Sequence, residues 1–144
     1  MHPDAQEGLQ KFNQGKYYAA HEYFERAWRE TKDDSREFYR ALLQVSGGFY
    51  RLTQGRPGAA IKFFNRSLHW LEFFPKHYQG INTDELRNQL EELIKATNEN
   101  RDTVNILENF LPKIKGVFEE KKKMKVLIPV LNPLATPPST PAKI

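Results

Sequence analysis

Six residues of this chain recur at an offset of forty positions: Gln14-Gly15, Ala19-Ala20, Phe24 and Arg26 return as Gln54-Gly55, Ala59-Ala60, Phe64 and Arg66. A glycine turn, a pair of small residues and an aromatic at helical spacing let a helix leave a turn and pack closely on its predecessor. The repeat therefore reads as a duplicated helical hairpin. Shared residues describe architecture, so residues specific to one copy are where a function is sought. His21, Glu25 and Trp28 of the first copy stand opposite Ile61, Asn65 and Leu68 of the second.

Apolar periodicity extends this pattern along the chain. A short first helix is expected from Asp4, as its cap, to Phe12, followed by the turn Asn13-Gln14-Gly15. Tyr17, Ala20, Phe24, Ala27, Trp28 and Thr31 form one stripe of a second helix over about residues 17–31. Asp34 or Ser35 is expected to cap a third helix reaching about Gln54. Its wide apolar face (Phe38, Tyr39, Leu42, Val45, Phe49, Tyr50, Leu52) places it centrally, and Gly47-Gly48 within it points to a close helix approach or a kink. Pro57 suits the first turn of a fourth helix, with Ala60, Phe63, Phe64, Leu71 and Phe74 as its stripe and Phe74-Pro75 as its end. Residues 76–81 read as an irregular loop. Asn82 with Glu85 resembles a capping box for a fifth helix carrying Leu86, Leu90, Leu93 and Ile94. Asn98-Glu99-Asn100 either interrupts that helix or lies within one long helix, and Pro112 ends the regular pattern.

At 144 residues the chain fits one domain with a core of its own. Absence of cysteine excludes disulfides and thiolate zinc sites and fits a reducing compartment, so cytoplasm is the expected location. The start, Met1-His2-Pro3-Asp4, has no basic region followed by an apolar run, and the longest apolar stretch, Val126 to Leu131, is interrupted by Pro129. Neither a leader nor a membrane span is expected. Residues 1–111 carry 15 Lys and Arg against 16 Asp and Glu, whereas residues 112–144 carry 7 Lys against 2 Glu. Basic character thus belongs to a Pro-rich tail, which is expected to be largely disordered beyond about residue 120. The apolar patch Val126-Leu127-Ile128 inside it reads either as an incidental spot or as a segment that docks in a groove.

The run Gly15 to Ala27 resembles the end of a tetratricopeptide repeat, and Gly55 to Ser67 resembles it again. A period of forty departs from the roughly 34 residues of a regular array, and there is no third copy. A closed bundle is therefore expected in place of an open solenoid. A closer match is the small all-helical family catalogued as domain of unknown function 309. It rests on Phe12-Asn13-Gln14-Gly15-Lys16-Tyr17-Tyr18-Ala19-Ala20-His21-Glu22, continuing to Glu25 and Trp28, with Leu42-Leu43-Gln44, Gly55-Arg56-Pro57-Gly58-Ala59-Ala60, Pro75 and Tyr78-Gly80-Ile81 in support. The match covers about residues 6–95. It implies a compact helical bundle and no established activity.

His21, Glu25 and Trp28 fall on one flank of the second helix at spacings of four and three. Imidazole and carboxylate one turn apart can supply two metal ligands, or a general base oriented by an acid, but no third ligand, nucleophile or oxyanion donor stands beside them in sequence. The bland reading is a hydrogen bond between His21 and Glu25 under Trp28 at a helix interface. A third is a pocket for a small ligand or peptide terminus, joined by Arg40, Gln44 and Arg51 from the polar side of the central helix. The chain is read as an all-α bundle of five or six helices built on two tetratricopeptide-like hairpins over residues 1–111, with a basic tail over 112–144. Its expected role is a binding or scaffold module for a protein or peptide partner, without a cofactor. The alternatives are a small metal-dependent or acid-base hydrolase centred on His21 and Glu25, and nucleic-acid binding by Lys113, Lys115, Lys121, Lys122, Lys123 and Lys125.

Overall fold

The computed structural model describes residues 1–119, and these form six helices and a minimal hairpin: α1 (Pro3–Asn13), α2 (Tyr17–Glu30), α3 (Ser35–Thr53), α4 (Pro57–Leu71), β1 (His77–Tyr78), β2 (Ile81–Asn82), α5 (Thr83–Asn100) and α6 (Thr103–Phe118). No helix among the described residues is long and apolar enough to cross a membrane. The expectations for residues 120–144 lie outside the described residues.

The duplicated turn behaves as its sequence requires. Gly15 and Gly55 take φ of 80° and 69°, a left-handed conformation that only glycine adopts without strain, and each releases the chain into the second helix of its hairpin. α3 lies centrally, against α2 on one side and α4 on the other. The close approach expected at Gly47-Gly48 is real. A Cβ on Gly47 would stand 2.7 Å from the Phe63 ring, and one on Gly48 would overlap Phe64.

The core is organised around Phe12, whose ring meets Tyr17, Phe49 and Phe118 edge-on at 5.1, 5.1 and 5.0 Å, while Phe49 meets Phe64 at 5.6 Å. Five helices thus share one aromatic cluster, each buried ring contributing about 1.5–3 kcal/mol of transfer free energy. α5 packs on α4, and α6 returns against α3, α5 and α1 to close the bundle.

This return corrects the boundary expected at Leu111. α6 runs through Pro112 to Phe118, and Ile114, Val117 and Phe118 are buried in the common core. Proline inside a helix costs about 3 kcal/mol, but Pro112 sits on the exposed side and the three apolar side chains beyond it outweigh that cost. The folded unit therefore reaches at least Phe118, beyond the expected end at residue 111.

Three local expectations change as well. The cap of α1 is His2, whose Nδ1 accepts from the Asp4 N–H at 3.0 Å, because the imidazole reaches the same orphan donor that a serine or aspartate cap would. At α3 the capping contacts come from Asp33, whose carboxylate accepts from the Ser35 N–H at 2.9 Å and from the Ser35 hydroxyl. Residues 77–82 are an antiparallel hairpin rather than an irregular loop, with Gln79 and Gly80 both at positive φ as a type I′ turn needs. Tyr78 fastens it between Phe38 at 4.9 Å and Phe74 at 4.8 Å. The Tyr39 hydroxyl donates to Gln79 Oε1 and accepts from the His2 N–H, tying hairpin, α3 and the start of α1 together. Asn82 caps α5 through the Glu85 N–H at 2.9 Å. α5 stops at Arg101, in the left-handed conformation, and Asp102 caps α6, so the interruption near Asn98–Asn100 becomes a helix boundary.

Candidate functional site

α2 and α3 run antiparallel. Near one end of the pair Tyr18 meets Tyr50 at 5.3 Å, and near the other Arg36 Nε donates to the Trp28 carbonyl at 3.1 Å. The flank of α2 carrying His21 and Trp28 therefore faces the polar strip of α3.

Trp28 holds two guanidinium groups against its ring, with Arg36 Cζ at 4.6 Å and Arg40 Cζ at 4.8 Å from the centroid. Arg40 also lies 4.5 Å from the Trp70 ring of α4 and so bridges two indoles from different helices. Contacts of this kind are worth about 0.5–2 kcal/mol each and fix the guanidinium plane. Glu37 pairs with Arg40 at 3.2 Å and with Arg36 at 3.8 Å. Further along α3, Arg51 stacks near Tyr50 and Phe63 and donates to Gln54 Oε1 at 2.8 Å. Three arginines against one glutamate leave this strip of α3 positive.

The structure pairs Trp28 with Arg40 and places Gln44 one turn further along α3. It separates Glu25 from His21, because the Glu25 carboxylate is taken by Arg29 at 2.6 Å, one turn along its own helix. His21 stacks on Tyr18 instead, with ring centroids 6.1 Å apart. Among the described residues, four buried polar atoms of this seam have no hydrogen-bond partner: His21 Nδ1, Trp28 Nε1, Gln44 Oε1 and Glu37 Oε1, the last of which faces Arg40 in their ion pair. The expected hydrogen bond between His21 and Glu25 is therefore replaced by an Arg29 ion pair, and the indole N–H expected to be satisfied is buried without a partner among the described residues. Each such buried atom costs about 1–3 kcal/mol.

Burial pushes the His21 imidazole below its ordinary pKa of 6.5, while Glu25 and Glu22 pull it upward and Arg51 adds to the lowering. A lowered histidine leaves the unfolded chain holding more protons, so stability is full above pH 6.5 and falls as pH drops from there toward the folded value. The urea midpoint is expected to decrease between about pH 7.5 and 5.5, and His21→Gln should flatten that slope. An unchanged slope in His21→Gln would show that His21 does not carry it.

Among the described residues, the three ligand-type side chains that converge within 4.8 Å are His2, Asp4 and Glu30, and this group does not include His21. Both imidazole nitrogens of His2 are already used. Nδ1 accepts from the Asp4 N–H, so Nε2 carries the proton and donates to Glu30 at 2.9 Å. That cluster serves as the cap of α1. His69 is exposed on α4, as its position opposite the apolar stripe implies, and His77 is exposed on β1.

Of the six lysines, Lys113 and Lys115 belong to α6, with Lys113 Nζ 4.9 Å from the Phe110 ring. Lys121, Lys122, Lys123 and Lys125 lie outside the described residues. Sequence reasoning missed Arg36 and Trp70. Arg36 stands four residues before Arg40 on the same face of α3, a signal present in the sequence, whereas Trp70 joins only through the packing of α4 on α3.

Residues 5–63 match the family model described as Domain of unknown function (DUF309). The matched region spans both turn glycines, the His21–Trp28 flank and the whole of α3. An uncharacterized protein of Aquifex aeolicus (strain VF5) is 30% identical over 84 residues, which cover 58% of this chain and 25% of that protein. The chain thus spans about a quarter of that relative's length. No solved structure matches significantly.

Proposed function

We propose that this member of the DUF309 family is a helical binding module that takes an acidic peptide segment of a partner protein along the α2–α3–α4 seam. The observation that carries this reading is Arg40 held between the Trp28 and Trp70 rings. Stacking orders the guanidinium before a partner arrives, so less side-chain entropy is lost on binding. Tryptophan and arginine dominate the energetics of protein interfaces for this reason. Carboxylates match the fork of guanidinium donors on Arg36 and Arg40, which the Trp28 ring holds in place.

A peptide library displayed on phage and selected on the full chain is expected to enrich Asp- and Glu-rich sequences. Arg40→Ala should weaken an enriched peptide by about tenfold or more, while the melting temperature moves by no more than about 2 °C. Enrichment of sequences without acidic residues, or equal binding by Arg40→Ala, would contradict the reading.

A further inference from the structure

A groove of about 570 Å³ opens on another part of the bundle, between α1, the hairpin turn and the end of α6. Its apolar lining is Met1, Leu9, Ile81 and Phe118, and its polar lining is unusual in kind. Gln6, Gln10 and Asn13 follow one another along one side of α1 at spacings of four and three, Gln14 caps the helix beside them, and Gln79 faces the same groove from the hairpin turn. All five are neutral carboxamides. The Asn13 Oδ1 is buried and has no partner among the described residues. A carboxamide both donates and accepts, so such a row matches the alternating N–H and C=O groups of an extended backbone, while the apolar lining receives side chains of that strand. Glu119 is the one charged side chain in the lining among the described residues.

Glu119 is also where the described residues stop, so the chain continues from the edge of this groove. Six residues, Glu120 to Lys125, separate it from Val126-Leu127-Ile128. Six extended residues reach about 20 Å, enough to bring that apolar patch back over the groove. Pro129 biases Ile128 toward an extended conformation, the form the carboxamide row can bind. We infer that Val126-Leu127-Ile128 docks into this groove in the same molecule, as an uncharged extended segment held through its backbone by the α1 carboxamides and Gln79. This surface is separate from the α2–α3–α4 seam, so the two readings stand or fall independently.

Because the chain has no cysteine, a single nitroxide can be placed at Asn132→Cys in the full-length protein. Paramagnetic loss of amide signal is expected at Gln10, Asn13, Gln79 and Gly80, and the pair Leu127→Asp and Ile128→Asp should restore most of it without touching the bundle. Signal loss that is absent, or that persists unchanged in the Asp pair, would overturn the proposal. A mixture of isotope-labelled protein without nitroxide and unlabelled protein with it decides between molecules. Loss in that mixture would assign the segment to a second copy and overturn docking within one chain.

Discussion

Gly48→Ala is expected to destabilise the bundle by about 2–3 kcal/mol, the reverse of what helix propensity alone gives. In a helix interior alanine is favoured over glycine by about 1 kcal/mol, so an unconstrained site would gain stability. At residue 48 the added Cβ would overlap the Phe64 ring, with two of its carbons at 2.7 Å, and Phe64 is itself fully buried against Phe49. Neither ring nor helix has room to yield, and the strain passes into the aromatic cluster. Gly116→Ala serves as the contrast, since among the described residues nothing lies within 4 Å of a Cβ at that position and a gain of about 0.5–1 kcal/mol is expected. Urea midpoints for both variants, and for Gly48→Ala combined with Phe64→Leu, decide the matter. The combined variant should recover part of the loss, and a Gly48→Ala protein more stable than wild type would refute the close approach.

A chain ending at Leu111 is expected to lose its cooperative unfolding transition, whereas one ending at Glu119 keeps it. The residues between include Ile114, Val117 and Phe118, all buried, and Phe118 covers Phe12 at the centre of the core. Each contributes about 1.5–3 kcal/mol, and together they rival the about 5–15 kcal/mol that holds a typical domain folded. Thermal melts of the two shortened chains followed by circular dichroism measure this directly. Equal melting temperatures would show that α6 beyond Pro112 adds nothing to the fold.

The hairpins were legible because their determinants are local. Gly15 and Gly55 sit where a left-handed residue is needed, Pro57 opens α4, and Asn82 caps α5. The end of the domain was not, because two signals competed at Pro112. Proline ordinarily stops a helix, yet the spacing of Phe110, Ile114, Val117 and Phe118 continues the same apolar face, and packing against α1 and α3 settled the contest. Strands of two residues in β1 and β2 are too short to show alternation, and Gln79-Gly80 is a less usual carrier of a type I′ turn than Asn-Gly. His2 escaped notice as a cap because histidine is uncommon there, although its imidazole offers the same kind of acceptor.

The site divides in the same way. Trp28, Arg40 and Gln44 were identifiable from one helix face each, and the structure sets those faces against one another. The pairing of His21 with Glu25 was inferred from a spacing of four, but Arg29 stands at the same spacing from Glu25 and its full positive charge takes the carboxylate. Trp70 became visible only through tertiary packing, since its link to Arg40 crosses from α4 to α3.

The chain has two tryptophans, and both belong to the proposed site, so their indole N–H resonances report on it without further labelling. The most direct measurement is a titration of the ¹⁵N-labelled full chain with a short all-glutamate peptide, set beside an all-lysine peptide of the same length. Saturable movement of both indole signals by the glutamate peptide alone, lost in Arg40→Ala, is the predicted result. Indole signals that stay fixed, or that move equally with the lysine peptide, would contradict recognition of acidic segments by the α2–α3–α4 seam.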